Sequence, residues 1–405
     1  MIQKKEVPIN ESDVSSPELY KNDTWGSHFN KLRQDSPVDY CPNSPYGPYW
    51  SITRFKDIKA IELDHKTYSS DSDRGGIRID KGIRYGFISS DPPRHTRERK
   101  TVVAASSPIN LASYEVTIRN RTRKLLAELP LNEAFDWNEK VSSELAVMTL
   151  ATLFDFPFEE RRKLSFWSNV ILGDLSAPDA MIKGEKERYE ILIQMADTFK
   201  RIWHERISQE PKLDLISMMA HNNVTRELPE MHFIGNLALL IAGGYDTTKN
   251  SMSGGVLALS ENPDQRVKLI ENPKLIVSLI GEIFRYQTPI IHMCRTATCD
   301  VEFQGQLIRE GDRLVLWYLS GNRDDSVIES PDNFIIDRRY PNKHLSFGAG
   351  IHHCIGERLA TLQLRIMWEE ILEQQLIIDV VGSPKRLYSN FIRGFSNLPV
   401  RIYHR

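Results

Sequence analysis

The 405-residue chain carries 52 Lys and Arg against 54 Asp and Glu, a net charge of −2, with 40% hydrophobic residues. So even a balance excludes bulk electrostatic attraction to nucleic acid or an anionic membrane, and the hydrophobic share is that of an ordinary globular protein. Four cysteines, Cys41, Cys294, Cys299 and Cys354, show no CxxC spacing, which excludes a disulfide framework and the usual paired-cysteine zinc sites and fits a reducing compartment.

The N-terminus, MIQKKEVPINESD, lacks an apolar signal core, and no stretch approaches the roughly 18 apolar residues of a membrane span. A cytoplasmic protein without a membrane anchor is expected. Pro8, Pro17, Pro37, Pro42, Pro45 and Pro48 crowd the start of the chain. Proline lacks a backbone donor and interrupts helices, so residues 1–45 read as an irregular arm with short helices. From Tyr49, YWSITRFKDIKAIELD alternates and then passes into helical spacing, which predicts a short strand pair feeding a helix. Residues 69–93, rich in Ser, Asp and Gly and closed by Pro92-Pro93, read as a long loop of the kind that often carries function.

From 94 to 286 the pattern is mainly helical, with breaks at Pro108, Pro130, Pro157, Pro178 and Pro211. Pro229 suits the first turn of a helix, and no proline follows until Pro263. A continuous helix over that span would be about 50 Å long at 1.5 Å per residue. Gly243-Gly244 weaken its centre by roughly 1 kcal/mol each, so something is expected to approach the backbone there. Residues 287–405 read as mixed strand and loop: strands over 297–318 with turns at Gln304-Gly305 and Glu310-Gly311, a loop over 319–353, a helix from about Gly356 to Gln375 and a β-like tail. Repeats and linker-like shifts are absent. The fold class is mainly α with a minor β region, one domain over 1–405.

The strongest chemical signal is Phe347-Gly348-Ala349-Gly350-Ile351-His352-His353-Cys354-Ile355-Gly356, which runs straight into that helix. The glycines permit a tight turn and close approach of a flat partner. Cys354 stands just before a helix N-terminus, where partial positive charge and free N–H groups favour a thiolate. A single thiolate among apolar and glycine neighbours suits an axial ligand to haem iron. A plain buried cysteine and a His352/Cys354 zinc site are the other readings, the second lacking a matching ligand pair nearby.

The decapeptide resembles the haem-thiolate signature of the cytochrome P-450 superfamily. Three further matches stand in that family's order: Glu282-Ile283-Phe284-Arg285, Ala242-Gly243-Gly244-Tyr245-Asp246-Thr247, and Asn322-Arg323-Asp324 with Pro331-Asp332-Asn333-Phe334 and Arg338. The resemblance covers essentially the whole chain from about residue 45. It implies the P-450 fold, a long central helix over a buried haem b, and O2 as co-substrate. Cys354 becomes the metal ligand, with Phe347, Gly348 and Gly356 shaping the haem contact. His95, Arg99, Arg295 and His352 become candidate partners of the haem carboxylates. Glu282 and Arg285, at i,i+3, would by themselves be a common surface pair; the resemblance makes them a lock with Arg338 that holds the cysteine loop. Asp246 and Thr247 become the acid–alcohol pair that passes protons during oxygen activation.

The same resemblance implies a bacterial ferredoxin-dependent monomer, fed from NAD(P)H through a flavin-containing reductase and a [2Fe–2S] ferredoxin. Arg94, Arg97, Lys100, Lys343, Arg358 and Arg365 would receive the acidic ferredoxin. Phe135-Asp136-Trp137, the stretch from Ala151 to Arg162, the run from Asp246 to Gly255, and HLSFGAGIHHC are similar to the alkane and fatty-acid terminal-hydroxylase branch, with terpene hydroxylases near it. Tyr245 and Cys294 depart from that branch's asparagine and arginine. Terminal hydroxylation of an apolar small molecule, a medium-chain alkane, fatty acid or terpene, is the implied reaction; a peroxide-driven peroxygenase and a non-catalytic haem-binding sensor are the alternatives.

The pocket is expected to draw on Ile77, Ile79, Ile83 and Phe87 from the loop, and on Val170, Ile171, Leu172 and Leu175. Leu239, Ala242 and Gly243 of the central helix, Ile290, Ile291 and Met293 of the following turn, and Phe395 of the tail complete the set. These mostly aliphatic side chains fit an apolar guest held by burial. No cation is placed to receive a carboxylate, which favours alkanes or terpenes over fatty acids.

Overall fold

The computed structural model describes residues 13–80 and 84–405. Helices dominate and the strands form small sheets, as expected. Among the described residues no helix is long and apolar enough to cross a membrane.

The central helix runs Glu230–Glu261, 32 residues, about 48 Å at 1.5 Å per residue. Pro229 precedes its first turn and Asn262 and Pro263 end it. Buried residues are distributed all round it, so its stability comes from tertiary packing and not from one amphipathic face. Helices Glu144–Phe154, Arg162–Leu172, Ile276–Gln287 and Glu357–Glu373 pack against it. Pro108 and Pro263 prove to be helix starts, where the missing N–H costs nothing.

Two glycines decide how the 69–93 segment crosses this helix. A Cβ at Gly235 would lie 2.5–2.7 Å from backbone atoms of Arg84, Tyr85 and Gly86, and one at Gly86 would lie 2.8 Å from the Gly235 carbonyl oxygen. Backbone thus rides directly on backbone. Asn236 secures the crossing: its Oδ1 accepts from the Phe87 N–H at 2.8 Å and its Nδ2 donates to Glu98 at 2.9 Å. Gly235→Ala should therefore destabilise by about 1–3 kcal/mol, the usual cost of overpacking, read as a lower thermal midpoint; an unchanged midpoint contradicts the crossing.

From residue 13 onward the N-terminal arm is more ordered than its prolines suggest. It carries helix Trp25–Asp35 and strand Val38–Cys41, and Trp25, Phe29 and Leu32 pack with Trp317 and Leu319. That strand pairs with Tyr49–Ile52, which lies parallel to Arg313–Leu316; Met293–Ala297 and Tyr68–Ser69 complete a five-stranded sheet. Gln304 and Gly305, both at positive φ, turn the hairpin Val301–Phe303 and Gln306–Ile308 where the sequence placed a turn. The strand before them starts at Met293, earlier than predicted, and so puts Arg295 on a sheet.

Candidate active site

Gly348 and Gly350 of the cysteine loop sit at φ +67° and +66°, the left-handed region that only glycine enters freely. Space demands glycine there too. A Cβ at Gly350 would lie 2.4 Å from the Glu62 carbonyl oxygen, and one at Gly348 would press on Tyr318 and the Glu62 carboxylate. The loop returns on itself through the Cys354 N–H to the Phe347 carbonyl at 2.9 Å and enters helix Glu357–Glu373 at Gly356.

Cys354 opens onto an interior cavity of about 220 Å³ that also meets Phe347, Gly348 and Gly356. Burial pushes its thiol pKa up; the backbone N–H groups of Gly356 and Glu357 and the charge of Arg99 pull the other way. Those donors support a thiolate at the helix entrance. Among the described residues no group of three or more His, Cys, Asp or Glu is arranged to hold a metal ion, so His352 and Cys354 have no companions for a zinc site.

Arg99, Arg295 and His352 line the cavity. Arg295 donates to the Cys294 carbonyl at 2.7 Å and to Glu62 at 3.3 Å, and Arg99 donates to the His353 carbonyl. His95 and His352 pack ring to ring at 4.3 Å, and none of their four ring nitrogens has a partner. Burial, with Arg99 beside it, lowers the His95 pKa to about 4; burial and Arg295 hold His352 well below its ordinary value. Buried polar atoms without partners are unusual. His95 does not line the cavity but packs behind His352; the orphaned His352 nitrogens, the guanidinium groups of Arg99 and Arg295 and one sulfur on a mainly apolar wall fit an iron porphyrin with two carboxylates.

Glu282 is fully buried and binds two arginines. Arg285 grips it through Nε and Nη2, both at 2.7 Å, and Arg338 Nε donates at 2.9 Å. Arg285 also donates to the carbonyls of Asn322, Pro331 and Asn333, and Glu282 accepts from the Ile335 N–H. Asn322 passes the connection on by accepting from the Leu345 N–H and donating to Ser346, next to the cysteine loop. The i,i+3 pair is thus the hub that hangs residues 322–346 on helix Ile276–Gln287.

The central helix separates the acid from the alcohol. Gly243 and Thr247 line the cavity; a Cβ at Gly243 would meet nothing within 4 Å, whereas one at Gly244 would be 2.9 Å from Leu150. Thr247 Oγ1 donates to the Gly243 carbonyl at 2.8 Å. Asp246, expected to relay protons from solvent, is 3% exposed and does not line the cavity. It accepts from Lys249 Nζ at 2.8 Å and from the Ser168 hydroxyl. One residue along a helix is about 100° around it, so Asp246 turns towards helix Arg162–Leu172. Tyr245 faces away as well, its hydroxyl 2.6 Å from Ser143 Oγ and its ring 4.8 Å from Lys249 Nζ. Cys294 is buried on the sheet face opposite Arg295.

Of the expected pocket residues, Ile77, Phe87, Leu172, Leu239, Ala242, Gly243, Ile290 and Met293 line the cavity. Ile83 lies outside the described residues. Ile291 is excluded because its side chain turns into the cluster of Trp317 and Leu319 while its N–H bonds to the Phe391 carbonyl. Phe395 is excluded because it packs with Trp137 and Leu398 beneath Arg386; Phe391 and Ile392 are the tail's contribution, through the bridge from Ile392 to Ile290. Ile79, Val170, Ile171 and Leu175 also miss the cavity.

The sequence places no cation to receive a carboxylate; the structure adds Arg78 to the cavity wall. Glu62 and Tyr318, hydrogen-bonded to each other beside Arg295, were missed as well. Their only sequence signal was helical and strand spacing. Of the basic set, Arg94 and Arg365 are taken by Glu98 and Glu115 at 2.7 and 2.8 Å. Arg97, Lys100, Lys343 and Arg358 are exposed, with no carboxylate partner among the described residues.

The family model described as Cytochrome P450 matches residues 165–402. A linalool 8-monooxygenase of Pseudomonas putida is 33% identical across 96% of this chain and 98% of its own length. A methyl-branched lipid omega-hydroxylase of Mycobacterium bovis is 30% identical across 98% and 95%. A solved structure, cytochrome P450-153 from Novosphingobium aromaticivorans, superposes with a TM-score of 0.90 at 40% identity, covering 97% of this chain and all of the other.

Proposed function

The chain belongs to the cytochrome P450 family and is an oxygen-incorporating oxidoreductase of that family; from that premise we propose that it hydroxylates a terminal C–H bond of a medium-chain alkane, fatty acid or terpene. The observation that carries this reading is one cavity bearing the Cys354 sulfur, the Gly243–Thr247 face of the central helix and aliphatic side chains. Relatives named for linalool and for methyl-branched lipids support the substrate range.

When bound, haem b supplies the oxygen-activating iron centre, and Cys354 is the residue that would ligate it, with electron donation from sulfur. Arg99, Arg295, His95 and His352 are the residues that would hold its carboxylates through charge-assisted hydrogen bonds, which would give the unpartnered His95 and His352 nitrogens an acceptor. Glu282, Arg285 and Arg338 hold the cysteine loop in place. Gly243 keeps the wall open, and Thr247 Oγ1 holds a proton that it can turn from the Gly243 carbonyl into the cavity. Asp246 holds its charge against Lys249, one helical step behind, and serves the relay only when Lys249 releases it. Ile77, Phe87, Leu239 and Met293 exclude water and bury the apolar chain.

Electrons come from NAD(P)H through a flavin-containing reductase and a [2Fe–2S] ferredoxin docked at Arg97, Lys100, Lys343 and Arg358, in a cytoplasmic monomer. The balance is RH + O2 + NAD(P)H + H+ giving ROH + H2O + NAD(P)+. With reductase, ferredoxin and isotopically labelled dioxygen, dodecane or linalool should yield alcohol carrying one labelled oxygen; unlabelled alcohol, or none from the whole panel, overturns the reading. Thr247→Ala should leave haem content unchanged while alcohol per NAD(P)H falls several-fold or more, in the range of lost proton-transfer catalysis. Unchanged coupling removes Thr247 from the relay.

A further inference from the structure

We propose that Glu62 is a positioning residue that sets the reduction potential of the bound haem: its carboxylate fixes and neutralises Arg295 and props the turn that leads to Cys354. This role rests on the haem-thiolate reading and deepens it, since that reading gives Glu62 no part.

Glu62 lies in the last turn of helix Phe55–Leu63 and is 2% exposed. A carboxylate so deeply buried is costly unless its charge is met. Its Oε1 accepts from the Tyr318 hydroxyl and from Arg295 Nη2 at 3.3 Å. Both donors line the cavity and Glu62 does not, so it stands one layer behind the wall and acts through it. Burial, and then Glu62 itself, hold the Tyr318 pKa well above its ordinary value, which keeps the phenol a donor. Burial also raises the pKa of Glu62, against the pull of Arg295, the Tyr318 hydroxyl and the Ala349 N–H.

The same residue touches the cysteine loop twice. A Cβ at Gly348 would lie 3.3 and 3.4 Å from its two carboxylate oxygens, and Gly350 rests against its backbone carbonyl. These are the two left-handed glycines of the loop. Glu62 therefore holds the turn itself, where the Glu282 hub holds the segment before it.

The charges fix the direction of the effect. Among the described residues Glu62 is the only carboxylate paired with Arg295. One guanidinium is thus shared between Glu62 and the haem carboxylate it would hold. Without the Glu62 charge, Arg295 stands uncompensated beside the porphyrin, in an interior that screens it poorly. A bare cation favours the state with one more electron, so reduced haem gains. Charge and hydrogen bonding one layer out are recognised levers on a metal's potential.

The test is a reductive titration of substrate-free holoenzyme with dithionite and mediator dyes at about pH 8, well above the ordinary carboxylate range. Glu62→Gln keeps the shape and removes the charge. It should move the ferrous-to-ferric ratio at a given potential by about tenfold, a midpoint about 59 mV more positive, with the red-shifted carbon monoxide band retained. Glu62→Asp keeps the charge and should stay nearer to wild type than to the glutamine variant. A glutamine variant whose midpoint matches wild type overturns the proposal, and equal shifts in both variants overturn it by assigning the effect to packing. If the glutamine variant purifies without haem and the aspartate variant with it, the charge is again what the site requires; loss of haem from both leaves Glu62 a packing residue only and overturns the role. A wild-type protein without the red-shifted band defeats the haem-thiolate reading and this role with it, whereas an intact band with matching midpoints defeats the role of Glu62 alone.

Discussion

Cys354→Ala is expected to abolish the red-shifted Soret band that thiolate-ligated haem shows when reduced under carbon monoxide. No other cysteine can stand in. Cys294 is fully buried on the far face of its strand, Cys41 is buried against the N-terminal arm, and Cys299 is on the surface. Among the described residues, the only other sulfur on the cavity wall is the thioether of Met293, which cannot become a thiolate. Arg99, Arg295, His95 and His352 remain to hold the porphyrin carboxylates, so a residual haem fraction with a different spectrum is the anticipated product. Loss of the band with haem partly retained isolates the sulfur from the rest of the site. Survival of the band in the alanine variant would move the ligand elsewhere and remove the basis of the reaction.

Glu282→Ala should cost about 3–5 kcal/mol, because it strands two arginine charges in the interior. Arg285 is 1% exposed, and Arg338 loses the only carboxylate it has among the described residues. Unfolding entropy of about 2.1 cal/mol/K per residue over 405 residues makes 4 kcal/mol about 5 °C in thermal midpoint. The functional effect should exceed the thermal one. Ile335 N–H, Asn322 and the carbonyls of Pro331 and Asn333 all hang on the pair, and they lead directly into the loop that presents Cys354. Purified variant should therefore carry a small fraction of the wild-type haem. Arg285→Lys keeps the charge but not the fork that reaches Glu282 and three carbonyls, so intermediate loss is expected. A Glu282→Ala protein that melts within a degree of wild type with full haem content would show that the network does not hold the loop.

The residues that read correctly from the chain are those whose signal is local. Glycine at 348 and 350, a cysteine before a helix and two prolines bracketing a long apolar stretch constrain backbone over a few residues. The structure keeps all three features, with the central helix at Glu230–Glu261. The hairpin at Gln304-Gly305 is of the same kind. The departures at Tyr245 and Cys294 were legible as departures, but their consequence was not. Both side chains point away from the cavity, into contacts with Ser143 and the Trp317 cluster made by segments more than 20 residues away.

Sequence alone thus determined the fold class, the sulfur that faces the cavity and the helix that opposes it, because turn, cap and helix-break chemistry is written in neighbouring residues. Tertiary structure alone decided which side chains reach the cavity. Asp246 and Thr247 are adjacent in sequence, yet Ser168 and Lys249 draw one into the interior while the other stays on the wall. Ile290 and Ile291 split between cavity and core through distant partners, the Ile392 bridge for one and the Trp317 cluster for the other, and Arg78 enters the wall only because a loop is pinned to a segment more than 200 residues later. Facing is a property of long-range packing, and packing partners leave no mark at the position they select.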